Sequence, residues 1–504
     1  MEVLSNLDSV SSFAPELILG AGVLVLLLVD LIQRGSGRMV ASGITAVTVV
    51  LSGIALFTTG PAYPDTEGLF GGLIARDPYG DFWKILFLIA TLVVGVMASR
   101  SRDAIDYKRG DRDAAEFYAL ALTVCMGMFV MASSTDMLLA YLSLETVSIL
   151  SFVLAGFKHR DRRSAEAALK YAIYGGVASG CMLYGLSLLY GLTGTTALHG
   201  IAVADIAAQN PMTLTIAVSL TLAGFGYKIA VVPFHQWCPD VYEGAPTPVT
   251  AFLSVGPKAA GFALLMRFFM AAVPAEVYES ADSLFGSHPW PMLLGAIAVA
   301  TMTLGNFVAL VQNNIKRLLA YSSIAHAGYI MLGMLVVGDQ GMTAMMFYLF
   351  TYLFMNLGAF GVVCALQDRG VGEDLSNYHR LGYRAPVIAA CMAIFLISLT
   401  GLPPTAGFAG KFLLFAALVK EGGTLLWTIA VIGVVNSAIS LFYYAKILKA
   451  MYFGYEGAPH GDDKPIVTDV RHTVIVVGMA VPVMLLGLWW SPLLDWAKSM
   501  LIAW

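Results

Sequence analysis

Charge is scarce in this chain: Asp, Glu, Lys and Arg make up 12% of its 504 residues, against 58% hydrophobic residues. No polar segment is long enough for a soluble domain, and no low-complexity linker divides the chain, so residues 1–504 read as a single membrane domain. Cysteine is equally sparse. Cys125, Cys181, Cys238, Cys364 and Cys391 are scattered without CxxC or iron–sulfur spacing, and most read as small core residues. No GxGxxG follows a strand and no P-loop occurs, which leaves nicotinamide, flavin and ATP without a visible site. The eight histidines form no metal-ligand cluster. His235 and His326 fall at membrane depth, where a haem ligand is conceivable but a satisfied or proton-relaying imidazole is the favoured reading. Redox chemistry, if any, therefore belongs to another subunit. Nucleic acid is not an expected partner, and the formal net charge of −4 says little, since most of the surface faces lipid or apolar protein. The first apolar span follows Glu2 and Asp8 rather than a basic segment and lacks a cleavage site, so it reads as retained.

Long apolar runs fill most of the chain. About fourteen spans begin near Ala14, Met39, Pro78, Ala115, Asp136, Ala165, Met212, Thr247, Pro291, Leu318, Met342, Pro386, Leu425 and Thr473, an all-α integral membrane protein. If the spans alternate, the loops around Arg34–Arg38, Arg100–Arg112, Lys158–Arg163, Lys316–Arg317, Arg369–Arg384 and Lys446–Arg471 share one face and hold most of the 29 Lys and Arg residues. The other face has only Arg76, Lys420 and Lys498. That bias places both termini on the outer side of the membrane.

Six basic residues lie within the spans. Lys84 and Arg267, toward helix ends, are expected to snorkel to the interface, and Lys170 shares a helix start with Glu166 at i, i+4 spacing. Lys228, Lys258 and Lys411, with Glu145 at the centre of its own span, have no such escape. A charge at that depth is expensive and persists only beside a protein interior or a water-filled path. Two segments near these lysines are interrupted alike by Pro and Gly: Gly224 to Pro248, which contains Lys228, Pro233, Pro239 and Pro246, and Leu399 to Lys411, which contains Gly401, Pro403 and Pro404. Neither can be one continuous helix. Broken helices in corresponding places of two halves are the pattern of inverted repeats in ion-coupled transporters. The repeats are placed at 115–274 and 289–453, five helices each, with peripheral helices at 14–98 and 470–490.

Desolvation weakens a lysine's hold on its proton and a carboxylate partner strengthens it. A Glu145–Lys228 pair that opens and closes would therefore switch proton affinity, with Lys258 as the next acceptor, Lys411 toward the outer side, and His235, His326 and Lys170 as possible relay members. The alternative is that these charges only specify helix packing.

The segment from Phe234 to Lys258 (FHQWCPDVYEGAPTPVTAFLSVGPK) and that from Lys316 to Tyr329 (KRLLAYSSIAHAGY) resemble the antiporter-like membrane subunits of respiratory complex I, the proton-pumping NADH:quinone oxidoreductase. Asp240-Val-Tyr-Glu-Gly244 and Lys411 resemble the N-type subunit in particular; the M type usually has Glu at the latter point, and the L type adds a long lateral helix. The resemblance implies Glu145 and Lys228 as the modulating pair, Lys258 as the central lysine and Lys411 as the exit lysine. It also implies a bacterial inner membrane, other complex I membrane subunits as neighbours, FMN and iron–sulfur clusters carried by partners, quinone as the substrate of the assembly, and no cofactor in this chain. A subunit of a multi-subunit cation/proton antiporter and a purely structural spacer are the competing readings.

Overall fold

The computed structural model describes residues 6–33, 37–59, 68–101, 104, 113–201, 210–272, 289–336, 338–454 and 464–502. Among them the regular structure is helical, apart from isolated bridges such as Ile74 with Ser134. After a short helix, Asn6–Ser12, the chain forms α1 (Ala14–Gln33), α2 (Arg38–Thr59), α3 (Pro78–Ala98), α4 (Ala114–Ser133), α5 (Met137–Ala155) and α6 (Arg162–Thr193). There follow α7 (Pro211–Ile229), α8 (Trp237–Gly244), α9 (Thr247–Ala272), α10 (Pro289–Leu310), α11 (Ile315–Met331) and α12 (Asp339–Gln367). The chain closes with α13 (Pro386–Thr400), α14 (Ala406–Glu421), α15 (Thr424–Tyr452), α16 (Val470–Leu488) and α17 (Ser491–Ile502). Of the basic loops, 34–36, 102–103, 105–112 and 455–463 lie outside the described residues, as does the expected repeat boundary at 274.

Among the described residues thirteen helices are long and apolar enough to cross a membrane. The remaining expected span, near Pro386, is present as two halves, α13 and α14, of 15 and 16 residues. Helix starts follow the sequence closely because short polar side chains cap them: Asp77, Asp136, Asp161, Asn314 and Asp469 each accept a backbone N–H from the first turn.

Helices α9, α11 and α12 are almost wholly enclosed by the others, while α1, α2, α15 and α16 turn apolar side chains such as Leu31, Phe57, Phe442 and Leu485 outward. Against lipid there is no hydrophobic gain from bringing helices together, so close backbone approach does the work. At the crossing of α10 and α11 a Cβ on Gly305 would stand 2.7 Å from Ala325 N, and one on Gly328 would stand 2.7 Å from Met302 N. Only glycine permits that contact.

Both expected breaks are present, and each rehouses its freed backbone groups inside protein, as a membrane interior demands. Helix α7 stops at Ala230 in the left-handed region (φ 59°); Val232 N–H then donates to Thr301 Oγ1 at 3.0 Å, and Trp237 Nε1 donates to Tyr227 O at 3.1 Å. Helix α13 stops at Gly401 (φ 90°), whose N–H and that of Leu402 return to Ile397 O, while Gly407 N–H donates to Ser398 Oγ at 3.0 Å. Cis peptide bonds, Val232–Pro233 and Pro403–Pro404, occur at the two breaks.

Lys84 and Arg267 do not snorkel. Both are enclosed by protein and paired: Lys84 Nζ lies 2.7 Å from Glu16 Oε1 on α1, and Arg267 donates twice to Asp77, at 2.7 and 2.9 Å. Packing by remote segments overrides their positions near helix ends. The partner of Arg267 is 190 positions away, beyond what spacing could reveal.

Candidate functional site

Lys228, Lys258 and Lys411 are all buried, and none has a carboxylate within ion-pair distance among the described residues. Lys228, in the last turn of α7 before the first break, donates to Ser148 Oγ on α5 at 3.0 Å. Glu145 lies one turn earlier on the same face of α5 and accepts a hydrogen bond from Ser179 on α6. The expected Glu145–Lys228 pair is thus open: both are held by serines rather than by each other.

The stem of Lys228 runs past Gly261 on α9, where a Cβ would approach Lys228 Cγ to 3.0 Å. Gly261 is one turn beyond Lys258. Lys258 Nζ points instead to α11, donating to Ser323 Oγ at 2.5 Å and Ser323 O at 3.0 Å. Around it lie the buried hydroxyls of Tyr242 and Tyr352, both beside Ser323, and Asn356, on the α12 side, donates to Ser254 Oγ at 2.6 Å.

On α11, Ser322 precedes Ser323 and shares a hydrogen bond of 2.5 Å with Tyr444 Oη of α15. Tyr444 Oη is 3.2 Å from His326 Nε2, and His326 Nδ1 is 2.6 Å from Tyr348 Oη.

Lys411, at the start of α14, returns to the end of α13. Its Nζ donates to Leu399 O (3.1 Å), Thr400 O (2.9 Å) and Ser437 Oγ (3.0 Å), and it lies 4.5 Å from the centroid of the Tyr329 ring. A cation at a helix C-terminus satisfies orphan carbonyls and opposes the negative end of the helix dipole. Gly401 leaves room for the stem, since a Cβ there would stand 2.8 Å from Lys411 Cδ.

Two other expected relay members are placed elsewhere. Lys170 pairs with Glu166 at 2.7 Å and Asp240 at 2.6 Å and is partly exposed. Asp240 also pairs with Arg317, which reaches Glu243, so the group ties α6, α8 and α11 together. His235 lies in the first break with Nδ1 buried, and among the described residues no hydrogen bond joins it to Lys228 or Lys258. The hydroxyls of Ser148, Ser179, Ser323, Tyr348, Tyr444 and Ser437 were missed by sequence reasoning. A Ser in an apolar helix carries no periodic signal and usually bonds its own backbone, and a Tyr hydroxyl finds its partner on another helix.

A family model described as the transmembrane part of NADH:quinone oxidoreductase and Mrp antiporters matches residues 134–440, which hold Glu145, Lys228, Lys258, His326 and Lys411. The chain belongs to this family. Among its relatives are proteins named NADH-quinone oxidoreductase subunit N. That of Anaeromyxobacter sp. (strain Fw109-5) is 45% identical over 98% of this chain and 97% of its own, and a second from Sorangium cellulosum (strain So ce56) is 48% identical over 98% and 97%. A chain of respiratory complex I from Thermus thermophilus with bound aureothin superposes with a TM-score of 0.76 at 30% identity, over 95% of this chain and 98% of that one. A chain of the Mrp complex from Dietzia sp. DQ12-45-1b shares the fold, with a TM-score of 0.79 at 20% identity over 97% of each. The all-α, multi-pass architecture expected from the sequence is the architecture of this family.

Proposed function

We propose that the chain is an N-type, proton-translocating membrane subunit of an NADH:quinone oxidoreductase, and that Glu145, Lys228, Lys258 and Lys411 are its relay. The relatives' names and the complex I superposition support the assembly. The observation that carries the relay is a contrast between two kinds of buried cation. Lys84, Arg267 and Lys316 each face a carboxylate at 2.7, 2.7 and 3.4 Å, which fixes them as charged. Lys228, Lys258 and Lys411 face only hydroxyls and carbonyls. Such partners accept from an ammonium and also bind a neutral amine, so the proton can leave without stranding a charge.

In this reading Glu145 modulates Lys228 by closing the gap between their serines. The proton passes by way of Lys258 and Ser323 toward Tyr444 and His326, and Lys411 releases it at the second break. The buried hydroxyls of Tyr242 and Tyr352 beside Ser323 supply polar sites of the kind that waters in a wire require. His235 lies beside this route and Lys170 anchors its basic end. The two halves, 115–274 and 289–453, are inverted repeats flanked by α1 to α3 and by α16. The chain sits in a bacterial inner membrane with both termini outside and other membrane subunits as neighbours; FMN and iron–sulfur clusters reside in partner subunits, and quinone is reduced there.

Membrane vesicles test this. Lys258→Met or Lys411→Met is expected to abolish NADH-driven proton uptake while the assembled complex remains in the membrane. Unchanged uptake with both variants present would overturn the relay. Loss of cation resistance with NADH-driven uptake intact would instead favour an antiporter.

A further inference from the structure

The C-terminal end of α12 and the N-terminal end of α16 hold a cluster that the relay does not use. Gly361 of α12 packs on Val476 of α16, where a Cβ would come within 3.4 Å of Val476 Cγ2. One turn on, the same two faces bring Cys364 and Asp368 (i, i+4 on α12 and its C-cap) against His472 of α16. One donor atom from each of the three lies within 4.8 Å of the others. His472 Nε2 is buried, stands 3.5 Å from Asp368 Oδ2, and has no hydrogen-bond partner. Cys364 and His472 are enclosed by protein, whereas the Asp368 side chain is 10% exposed.

We infer that Cys364, Asp368 and His472 form a binding site for one divalent transition-metal ion of the zinc type. Thiolate, imidazole and carboxylate are the donor set that zinc takes, at about 2.3, 2.0 and 2.0–2.2 Å. Drawing the three donors inward by less than a bond length reaches those distances, and the fourth position stays open to water. Binding replaces the thiol proton, which leaves to solvent, so one S–H bond breaks as one metal–sulfur bond forms. A hard ion such as Mg²⁺ lacks the oxygen ligands it needs here. The ion would clamp α16 onto α12, the helix that carries Tyr348.

The test uses the full-length chain in detergent, stripped with a chelator and titrated with Co²⁺. The expected result is one Co²⁺ per chain with a thiolate-to-cobalt charge-transfer band in the near ultraviolet, displaced by Zn²⁺ but not by Mg²⁺. Cys364→Ser abolishes the band, His472→Ala weakens binding at least tenfold, and Cys125→Ser leaves both unchanged. Zn²⁺ also raises the melting temperature of the unmodified chain and not of Cys364→Ser. Should Cys364→Ser fail to fold, Asp368→Asn keeps the band with weakened affinity. No saturable band in the unmodified chain, or a band that survives Cys364→Ser, overturns the site.

Discussion

Lys84→Met and Lys258→Met remove similar stems from equally buried positions, yet they should fail in opposite ways. Lys84 and Glu16 are each about 1% exposed and 2.7 Å apart, and Glu16 Oε2 has no other partner. Removing Lys84 strands a buried carboxylate, which costs about 3–5 kcal/mol, or roughly two to three and a half orders of magnitude in the folded population. Methionine at position 258 strands only Ser323 Oγ and a carbonyl that also belongs to a helix. That loss is at most about 1–3 kcal/mol, offset in part because no ammonium has to be desolvated. Folded chain in membranes, measured by fluorescence-detected gel filtration of a tagged protein over a temperature ramp, should fall steeply for Lys84→Met and little for Lys258→Met. Proton uptake per folded molecule should behave inversely. Glu16→Gln combined with Lys84→Met should recover most of the folded population, since no charge is left unpaired. The reasoning fails if Lys84→Met accumulates and melts like the unmodified chain, or if the double variant is worse than the single one.

Gly401→Ala should lower proton uptake severalfold with the complex assembled, because a Cβ would both oppose the positive φ, at about 1–2 kcal/mol, and press on Lys411 Cδ at 2.8 Å; initial uptake rates in vesicles check this. Tyr444→Phe deletes a hydroxyl within reach of both Ser322 and His326 and should slow uptake while sparing the melting temperature to within a few degrees. Burial pushes the Asp77 carboxyl up, but the charge and hydrogen bonds of Arg267 and the Gly80 N–H outweigh it and hold it below its usual 3.8. The stability it contributes is therefore full above about pH 4 and lost only as pH falls through the depressed value. Melting curves of Asp77→Asn should lie below those of the unmodified chain by a constant interval from pH 5 to 8 and converge only in stronger acid.

Much of this was legible in the residues. Span number followed from apolar run length, and both breaks followed from Pro233 and from Gly401 with Pro403 and Pro404, since missing N–H groups and fixed φ act locally. That Lys228, Lys258 and Lys411 are enclosed also followed, because a charge at mid-span has nowhere else to go. Pairings were another matter. Glu16 with Lys84 and Asp77 with Arg267 are set by how α1 and α3 dock on the bundle, and spacing within one helix carries no trace of that. For the same reason Glu145 was expected on Lys228, whereas Ser179 and Ser148 hold them apart. The hydroxyl chain through Tyr444 draws on α9, α11, α12 and α15 at once, so only the fold assembles it.

Donor arithmetic at the second break has a consequence of its own. An ammonium carries three N–H donors, and Lys411 has three oxygens in reach: Leu399 O, Thr400 O and Ser437 Oγ. The count closes only while the lysine is charged. A neutral amine offers two donors and a lone pair, so one contact must reverse its polarity, and neither carbonyl can donate. Ser437 can. Its hydroxyl, now given to Thr400 O at 3.0 Å, would turn to Lys411 Nζ when the proton departs. Each discharge of Lys411 thereby withdraws the serine's hydrogen bond from the last carbonyl of α13 and leaves it to the lysine alone, and each recharge restores it. The rotation of one hydroxyl on α15 records the charge state of a residue on α14.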